Sequence, residues 1–154
     1  MKLVKADLGS LLYICRNLRE ADRDELFATR WSDDPDALAA EAFTRWGEMA
    51  YIAHGQDGMP IAAIGATPCW GGVWSAWMFG TDRFGEVGKG LTRWVKKVMI
   101  PSIVDAGCHR AEARSLGSHA VAHRWMEKLG AKPESVLRRY GRNKEDFVLF
   151  VWEF

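Results

Sequence analysis

One segment of the chain combines residue types that favour phosphate binding. A loop rich in glycine runs from Arg83 to Gly90 and comes directly before a predicted helix that starts at Leu91. Free backbone N–H groups in such a loop, together with the positive end of the helix dipole, attract phosphate. The loop contains neither the GxxxxGK[ST] motif nor the dinucleotide motif GxGxxG. The pattern therefore predicts either an anion site or a simple turn.

Three helices are predicted near the start of the chain, after a short predicted strand at Lys2–Lys5. Asp7 is a typical N-cap for a first helix, a second helix is predicted to begin near Glu20, and the turn Ser32–Asp36 starts a third. The apolar face of the third helix is predicted to comprise Leu38, Ala42, Phe43 and Trp46.

An antiparallel meander is predicted between the helices and the loop. Met49–Gln56 is the first strand, Asp57 and Gly58 form a tight turn, and Pro60–Thr67 is the returning strand. Pro68–Gly72 is a second turn, and Val73–Phe79 is a third strand that leads into the loop.

Helices and strands alternate after the loop. Pro101 is expected to kink the helix that starts at Leu91, and Ser118 is expected to cap a later helix that Gly130 ends. The predicted strands of this half are His109–Leu116, Val136–Tyr140 and Phe147–Phe154. The whole order predicts an α/β domain with a mixed sheet.

The composition limits the function classes. The 154 residues are 48% hydrophobic and 27% charged, with a net charge of +1, which indicates a single folded domain over residues 1–154. So small a net charge disfavours binding to nucleic acid or to membranes, and no segment reaches the ~20 apolar residues of a membrane span. The start of the chain lacks the apolar run of a signal peptide, and three cysteines without a CxxC pair predict free buried thiols in the cytoplasm.

Two motifs and the element order resemble the GNAT superfamily of acetyl-coenzyme A-dependent N-acetyltransferases. The pyrophosphate loop of that family reads Arg/Gln-x-x-Gly-x-Gly/Ala. Arg83-x-x-Glu86-x-Gly88 has this spacing apart from the glutamate, and the shifted register Gly85-x-x-Gly88-x-Gly90 keeps the glycines. The later family motif Asn-x-x-Ala-x-x-x-Tyr-Glu-Lys-x-Gly-Phe resembles His119-x-x-Ala122-x-x-x-Met126-Glu127-Lys128-Leu129-Gly130-Ala131.

This resemblance covers essentially the whole chain and implies a fold, a co-substrate and a reaction. The fold is a mixed central sheet with an antiparallel meander, a strand–loop–helix coenzyme segment and a C-terminal strand pair. The co-substrate is acetyl-CoA, and an amine of a small molecule or a protein takes the acetyl group by direct transfer. The implied coenzyme-binding residues are Trp77, Met78, Phe79, Arg83, Gly85, Val87, Gly88, Lys89 and Gly90.

Three departures from the family pattern bear on the chemistry, and one of them is His119 in place of the usual asparagine. Glu86 places a negative charge where the family has a glycine beside the pyrophosphate, which is unfavourable. Met126 stands where many members have the tyrosine that protonates the leaving thiolate, and methionine has no proton to donate. Tyr140, in the penultimate predicted strand, is an alternative acid or a residue that packs on the sheet.

The resemblance implies a base near the strand that ends at Leu116. Glu112 is the first candidate, because a charge is unexpected in mid-strand. Arg110, Glu112 and Arg114 share one strand face, so the alternative is a structural Arg–Glu–Arg ladder. His119 and Ser118 are the other candidates, with N-capping as the alternative for Ser118.

A narrower resemblance concerns Leu18–Glu25 and Arg124–Ala131. These segments look like phage-encoded GNAT-like proteins, which implies an alternative role as a non-catalytic virion or head-assembly protein that binds other phage virion proteins. The protein would then occur in the host cytoplasm or in the virion. Basic residues of the last hairpin and acidic residues near Asp22 and Asp33 also raise the possibility of a homo-oligomer.

Overall fold

Three helices follow β1 in the first half of the chain, and a side-chain cap starts the first of them. The computed structural model describes residues 1–45 and 49–154. Helix α1 is Leu8–Arg16, α2 is Glu20–Ala28 and α3 is Pro35–Arg45. The Asp7 carboxylate accepts the Ser10 N–H at 2.9 Å, which confirms the predicted N-cap.

The apolar face of α3 differs in part from the prediction. Leu38 and Ala42 are buried as expected, whereas Phe43 is 51% exposed. Ala39, which was not expected there, is fully buried. Phe43 lies about 40° beyond Ala39 and about 100° beyond Ala42 around the helix, so it falls just outside the buried stripe. Trp46 lies outside the described residues.

A seven-stranded sheet with the order β1-β2-β3-β4-β5-β7-β6 forms the middle of the described chain. The strands are β1 (Lys2–Lys5), β2 (Ala50–His54), β3 (Pro60–Trp70), β4 (Val73–Gly80), β5 (Arg110–Leu116), β6 (Lys132–Leu137) and β7 (Phe147–Glu153). Strands β1 to β4 are antiparallel neighbours, β4 and β5 are parallel, and β5, β7 and β6 are again antiparallel. This mixed sheet with a meander confirms the predicted architecture.

Helices cover both faces of the sheet. On one face, α1 and α3 pack with Phe27 of α2 against a core that includes Ile52, Ala63 and Phe79. The helices after β4 and β5 cover the other face, where Leu91 and Met126 are buried. Because both faces are covered, β3 and β4 are almost wholly apolar.

The long helical segment after β4 begins earlier than predicted. A 3₁₀ helix over Asp82–Glu86 occupies the predicted loop, and α4 (Gly88–Trp94) starts three residues before Leu91. A π-helical turn over Val95–Met99 then leads into α5 (Ile100–Asp105). The π turn lies just before Pro101, which lacks an N–H for the preceding helical turn.

The C-terminal strand pair confirms the predicted architecture but not its first boundaries. Helix α6 (Ala120–Lys128) ends before Gly130, which has φ 99° and so takes the left-handed conformation expected of a stop signal. Strand β6 begins at Lys132 rather than Val136 and ends at Leu137. Arg139 has φ 54°, a value incompatible with an extended strand that reaches Tyr140.

Candidate functional site

The parallel strands β4 and β5 separate towards their carboxyl ends. Val73, Trp74 and Ser75 pair with Arg110, Ala111 and Glu112, and beyond these three pairs the two strands, both described in full, diverge. The gap between the two strands opens a cavity of about 390 Å³. Its walls come from α2, β4, β5, the π turn, α5, α6 and β7, so it passes between the strands from one sheet face to the other. Ligands of open α/β sheets bind at such carboxyl ends.

Backbone groups of β4 face this gap at every second residue. The Gly80 N–H donates away from β3 to Asp22 at 2.7 Å, whereas the Thr81 N–H donates to Ile61 of β3 at 2.9 Å. The alternation of an antiparallel strand therefore directs the N–H and C=O of Met78 into the gap. The backbone groups of Trp77 and Phe79 are directed towards β3, and both side chains pack on the α1–α3 face.

The segment Arg83–Gly90 presents backbone amides at the same end of the sheet. Val87 is buried, and the first hydrogen bond of α4 runs from the Leu91 N–H to the Val87 carbonyl at 2.8 Å. The amides of Gly88, Lys89 and Gly90 form the first turn, where N–H groups have no acceptor within the helix. A Cβ added at Gly85 would meet no atom within 4 Å, so this glycine borders open space.

Arg83 neutralises the acidic residue of the loop. Its guanidinium lies 2.7 Å from Glu86 and 2.8 Å from Asp57 in the turn between β2 and β3. These hydrogen bonds hold the pKa of both carboxyls below the usual range. The negative charge of Glu86 is therefore compensated within the loop, and Lys89 is an exposed cation beside it.

Glu112 lies opposite Ser75, at the last paired position before the gap. Its two carboxylate oxygens face Arg110 at 2.7 Å and Arg114 at 3.5 Å, and Arg110 also binds Glu134 at 2.6 Å. The alternating charges therefore form the ion-pair ladder that the strand period suggested as the alternative for Glu112.

His119 and Ser118 occupy different environments after β5. His119 is 5% exposed, and its Nδ1 lies 3.1 Å from an oxygen of Glu25. Its Nε2 lies 3.7 Å from Asp22. Ser118 is exposed and does not cap α6: among the described residues His119 is the N-cap, and its side chain makes no capping bond because it is turned into the protein.

Two carboxylates of α2 that the sequence analysis did not select lie at the ends of the separated strands. One oxygen of Glu25 accepts the Ser115 hydroxyl at 2.6 Å and the Leu116 N–H at 2.7 Å. Asp22 accepts the Gly80 N–H and pairs with Arg19 at 2.8 Å. Burial raises the pKa of Asp22, and Arg19 and the Gly80 N–H oppose that rise. Asp22, Glu25, Ser115 and His119 are called the α2 network below.

The sequence carries one weak signal for these carboxylates. Asp22 and Glu25 are three residues apart, which places them on one side of a helix. Their partners are far away in the chain, since Glu25 and Ser115 are separated by 90 positions. The spacing within α2 therefore indicates that Asp22 and Glu25 share a face of the helix, but it does not indicate which residues they contact. In residues 1–45 and 49–154, no group of three or more His, Cys, Asp or Glu side chains could hold a metal ion.

Other predicted residues also have defined positions. Met126 is buried in the cavity wall, and Tyr140 lines the same cavity while its ring packs on Phe147 at 5.4 Å. Cys15 and Cys108 are buried, as expected, but Cys69 is exposed because β3 continues past the predicted turn to Trp70. Burial raises the pKa of the Cys15 thiol to about 12.

The acidic and basic segments considered for self-association meet within one chain. Arg142 binds Asp33, and its backbone N–H donates to the Ala28 carbonyl at 2.7 Å. Asp22 is engaged in the α2 network. The formation of a homo-oligomer stays a prediction. Within residues 1–45 and 49–154, no helix is long and apolar enough to span a membrane.

No family model and no curated protein matches the sequence. Solved structures match it over nearly its full length. Ard1 from Thermoplasma volcanium has a TM-score of 0.77 at 12% identity, covering 99% of this chain and 96% of its own. The ribosomal-protein-alanine N-acetyltransferase from Brucella melitensis has a TM-score of 0.73 at 16% identity, covering 100% of both chains.

A third similar structure was solved with a ligand. The GNAT superfamily phosphinothricin acetyltransferase from Sinorhizobium meliloti, in complex with AcCoA, has a TM-score of 0.73 at 16% identity over 99% of this chain and 88% of its own. Identities this low establish architecture rather than activity. The chain therefore has the GNAT fold.

Proposed function

We propose that the protein is an acetyl-CoA-dependent N-acetyltransferase that acts on an amine by direct transfer. The observation that carries this proposal is the gap between β4 and β5, into which the Met78 N–H is directed. The amides of Gly88–Gly90 follow the same carboxyl end of β4 at which the gap opens. One ligand with a phosphate end and a slender apolar arm would therefore use both. The similar S. meliloti enzyme holds AcCoA.

The residues present fit such a coenzyme. The amides from Gly85 to Gly90, with Lys89 beside them, would bind the phosphates. Because Arg83 already neutralises Glu86, that carboxylate adds little net repulsion. The apolar walls of the gap, including Met126, would surround the thioester arm, and the Met78 N–H would donate to its carbonyl oxygen. Backbone donors of this kind make a large contribution to acyl transfer.

The acceptor amine would approach from the α2 side of the cavity. Glu25 and Arg30 line that side, and Tyr140 contributes the hydroxyl that could protonate the leaving sulfur. Among the predicted base candidates, both oxygens of Glu112 are held by arginines and Ser118 faces solvent. His119, in contrast, lies at the end of the gap and contacts a carboxylate that lines the cavity.

Coenzyme binding is the first test. We expect acetyl-CoA at 100 times its Kd to stabilise the protein by about 2.7 kcal/mol, which raises Tm by roughly 5–10 °C for a chain of this size. Gly88→Glu should abolish the shift by placing a carboxylate among the phosphate-binding amides. A Cβ at Gly88 would lie 3.2 Å from the Phe84 ring, so Gly85→Glu, in open space, is the second variant.

Gly71→Glu is the matched control, because its Cβ would also lie in open space, but in the β3–β4 turn at the other end of the sheet. Acetyl-CoA binding by the control and not by Gly85→Glu would support the proposal. A screen for thiol release with amino acids, polyamines and peptides with free amines then identifies the acceptor class. No binding at millimolar acetyl-CoA would contradict the proposal and favour the non-catalytic virion role.

A further inference from the structure

Helix α2 bridges the two strands where they no longer pair with each other. Asp22 accepts the Gly80 N–H at the end of β4, and Glu25 accepts the Leu116 N–H at the end of β5. Two carboxylates on one side of a helix thus replace the missing strand-to-strand hydrogen bonds. These two side chains therefore link the separated strand ends through α2.

His119 lies between the same carboxylates. Its Nδ1 is 3.1 Å from Glu25 and its Nε2 is 3.7 Å from Asp22. Ser115 from β5 contacts Glu25, Arg19 pairs with Asp22, and His123 on the next turn of α6 contacts the Leu116 carbonyl at 3.0 Å. Arg19 is therefore a permanent charge in contact with this set, and His123 is a second imidazole on the adjacent turn.

Exposure of the three side chains falls from the cavity inwards. Glu25 lines the cavity and is 17% exposed, His119 is 5% exposed, and Asp22 is 3% exposed. Of these three side chains, Glu25 therefore borders the cavity, and His119 and Asp22 lie behind it in the protein interior. A carboxylate beside an imidazole that is itself backed by a second carboxylate can hold an added proton on either group.

We propose that Glu25 is the base that accepts the proton of the acceptor amine, and that His119 and Asp22 position it and share that proton. This inference rests on the proposed acetyl transfer. Of the residues in the α2 network, only Glu25 and Ser115 line the cavity, and a serine hydroxyl that donates to Glu25 is not itself a base at neutral pH.

The proposed step balances as follows. The protonated amine gives one proton to Glu25, from which it is shared with His119. The freed nitrogen lone pair forms the new C–N bond while the C–S bond of the thioester breaks, and its electron pair leaves with sulfur. The nitrogen loses a second proton as the amide forms, and the sulfur gains one to become the thiol. The proton held by Glu25 and His119 is finally released to solvent.

Glu25→Gln tests this assignment, with Glu20→Gln on the exposed side of the same helix as the matched control. We expect Glu25→Gln to retain its Kd for acetyl-CoA within about twofold. We expect its kcat for the fastest amine of the screen to fall roughly 100-fold or more, as for loss of a general base. The control should match the native protein in both measurements.

The pH profile of kcat provides the readout for the two positioning residues, with Glu20→Gln as the control that should keep the native profile. A purely structural network would not change the pH profile of kcat in Asp22→Asn, whereas a proton-sharing one would shift it.

The outcomes separate this inference from the proposed function. If the native protein fails to bind acetyl-CoA or to acetylate any amine, the transfer proposal fails and the base assignment fails with it. If transfer is intact but Glu25→Gln keeps its kcat, or the pH profile of kcat in Asp22→Asn does not move, the assignment alone is overturned. Should Glu25→Gln not fold, Ser115→Ala, which removes one donor to Glu25, is expected to lower kcat severalfold with Kd unchanged.

Discussion

Strand β5 carries two clusters of charge only a few residues apart, and they differ in almost every physical respect. The first is the ladder of Arg110, Glu112 and Arg114, which begins where β5 is still paired with β4 and whose arginines remain 26% and 43% exposed. The second is the α2 network at the end of the strand, where β4 has moved away and the imidazole and Asp22 are buried.

The difference shows that the partner of a carboxylate decides what it can do. Glu112 has two permanently charged partners on its own strand, and each of its two oxygens faces one of them. Glu25 has a hydroxyl, an amide N–H and an imidazole, all of which can stay in place while the charge of the group changes. A neutral or titratable set of partners permits proton exchange, whereas a pair of guanidinium groups opposes it.

Stability should separate the two clusters most strongly. Asp22→Ala leaves the buried Gly80 N–H without its acceptor, which costs about 1–3 kcal/mol. Glu112→Ala leaves two partly exposed arginines, one of which keeps Glu134, and should cost about 1 kcal/mol or less. Urea unfolding of both variants measures the difference. Equal losses would show that the two clusters are energetically alike.

The pH dependence should have a defined sign at Asp22. Because burial raises its pKa, the folded protein favours the protonated carboxyl. The unfolding free energy of the native protein, relative to Asp22→Asn, should therefore fall as pH rises through the ordinary aspartate range to the raised value. Asparagine keeps an acceptor for Gly80, so the comparison isolates the charge.

Asp36→Asn is the control of opposite sign for that experiment. Hydrogen bonds from Arg16 lower the pKa of Asp36. The advantage of the native protein over this variant should therefore grow as pH rises and vanish as pH falls through the lowered value. If the difference in unfolding free energy between native protein and variant changes with pH in the same direction for both variants, burial is not the dominant effect at Asp22.

Added salt should change Tm the least of these tests, and its effect should be seen in the ladder of Arg110, Glu112 and Arg114. The Arg110–Glu134 pair is partly exposed, with Glu134 at 45%, so dissolved ions screen it. The small loss of Tm in Glu134→Gln should shrink towards zero in about 1 M NaCl, whereas the loss in Asp22→Ala should persist. A thermal melt of each variant at low and high salt checks this, and equal screening of both would place the α2 network in contact with solvent.

Local signals in the sequence were sufficient to predict most of the fold. Asp7 and Gly130 mark helix ends through their own side chain or conformation, and the strand period placed Glu112 between two arginines. The boundaries that differ depend on distant contacts: β6 begins at Lys132 because it pairs there with Val151 of β7.

The candidate site was less predictable for the same reason. The loop from Arg83 to Gly90 is contiguous, so its composition alone predicts either an anion site or a simple turn. Glu25 contacts Ser115 and Leu116 only because α2 packs across the ends of β4 and β5. His119 was selected through the motif around it, but its partners were not. The spacing of residues within one helix carries no information about a strand 90 positions away.

The two edges of the sheet have a consequence for solubility. An edge strand exposes unpaired N–H and C=O groups that can recruit another chain. Strand β6 is exposed along most of its length, and it carries Lys132, Pro133 and Glu134 with an irregular register beside the proline. At the other edge, β1 begins and ends with lysine. The lysines of β1 make that edge a poor template for aggregation. At β6, charge is joined by the missing N–H of Pro133 and by the irregular register beside it.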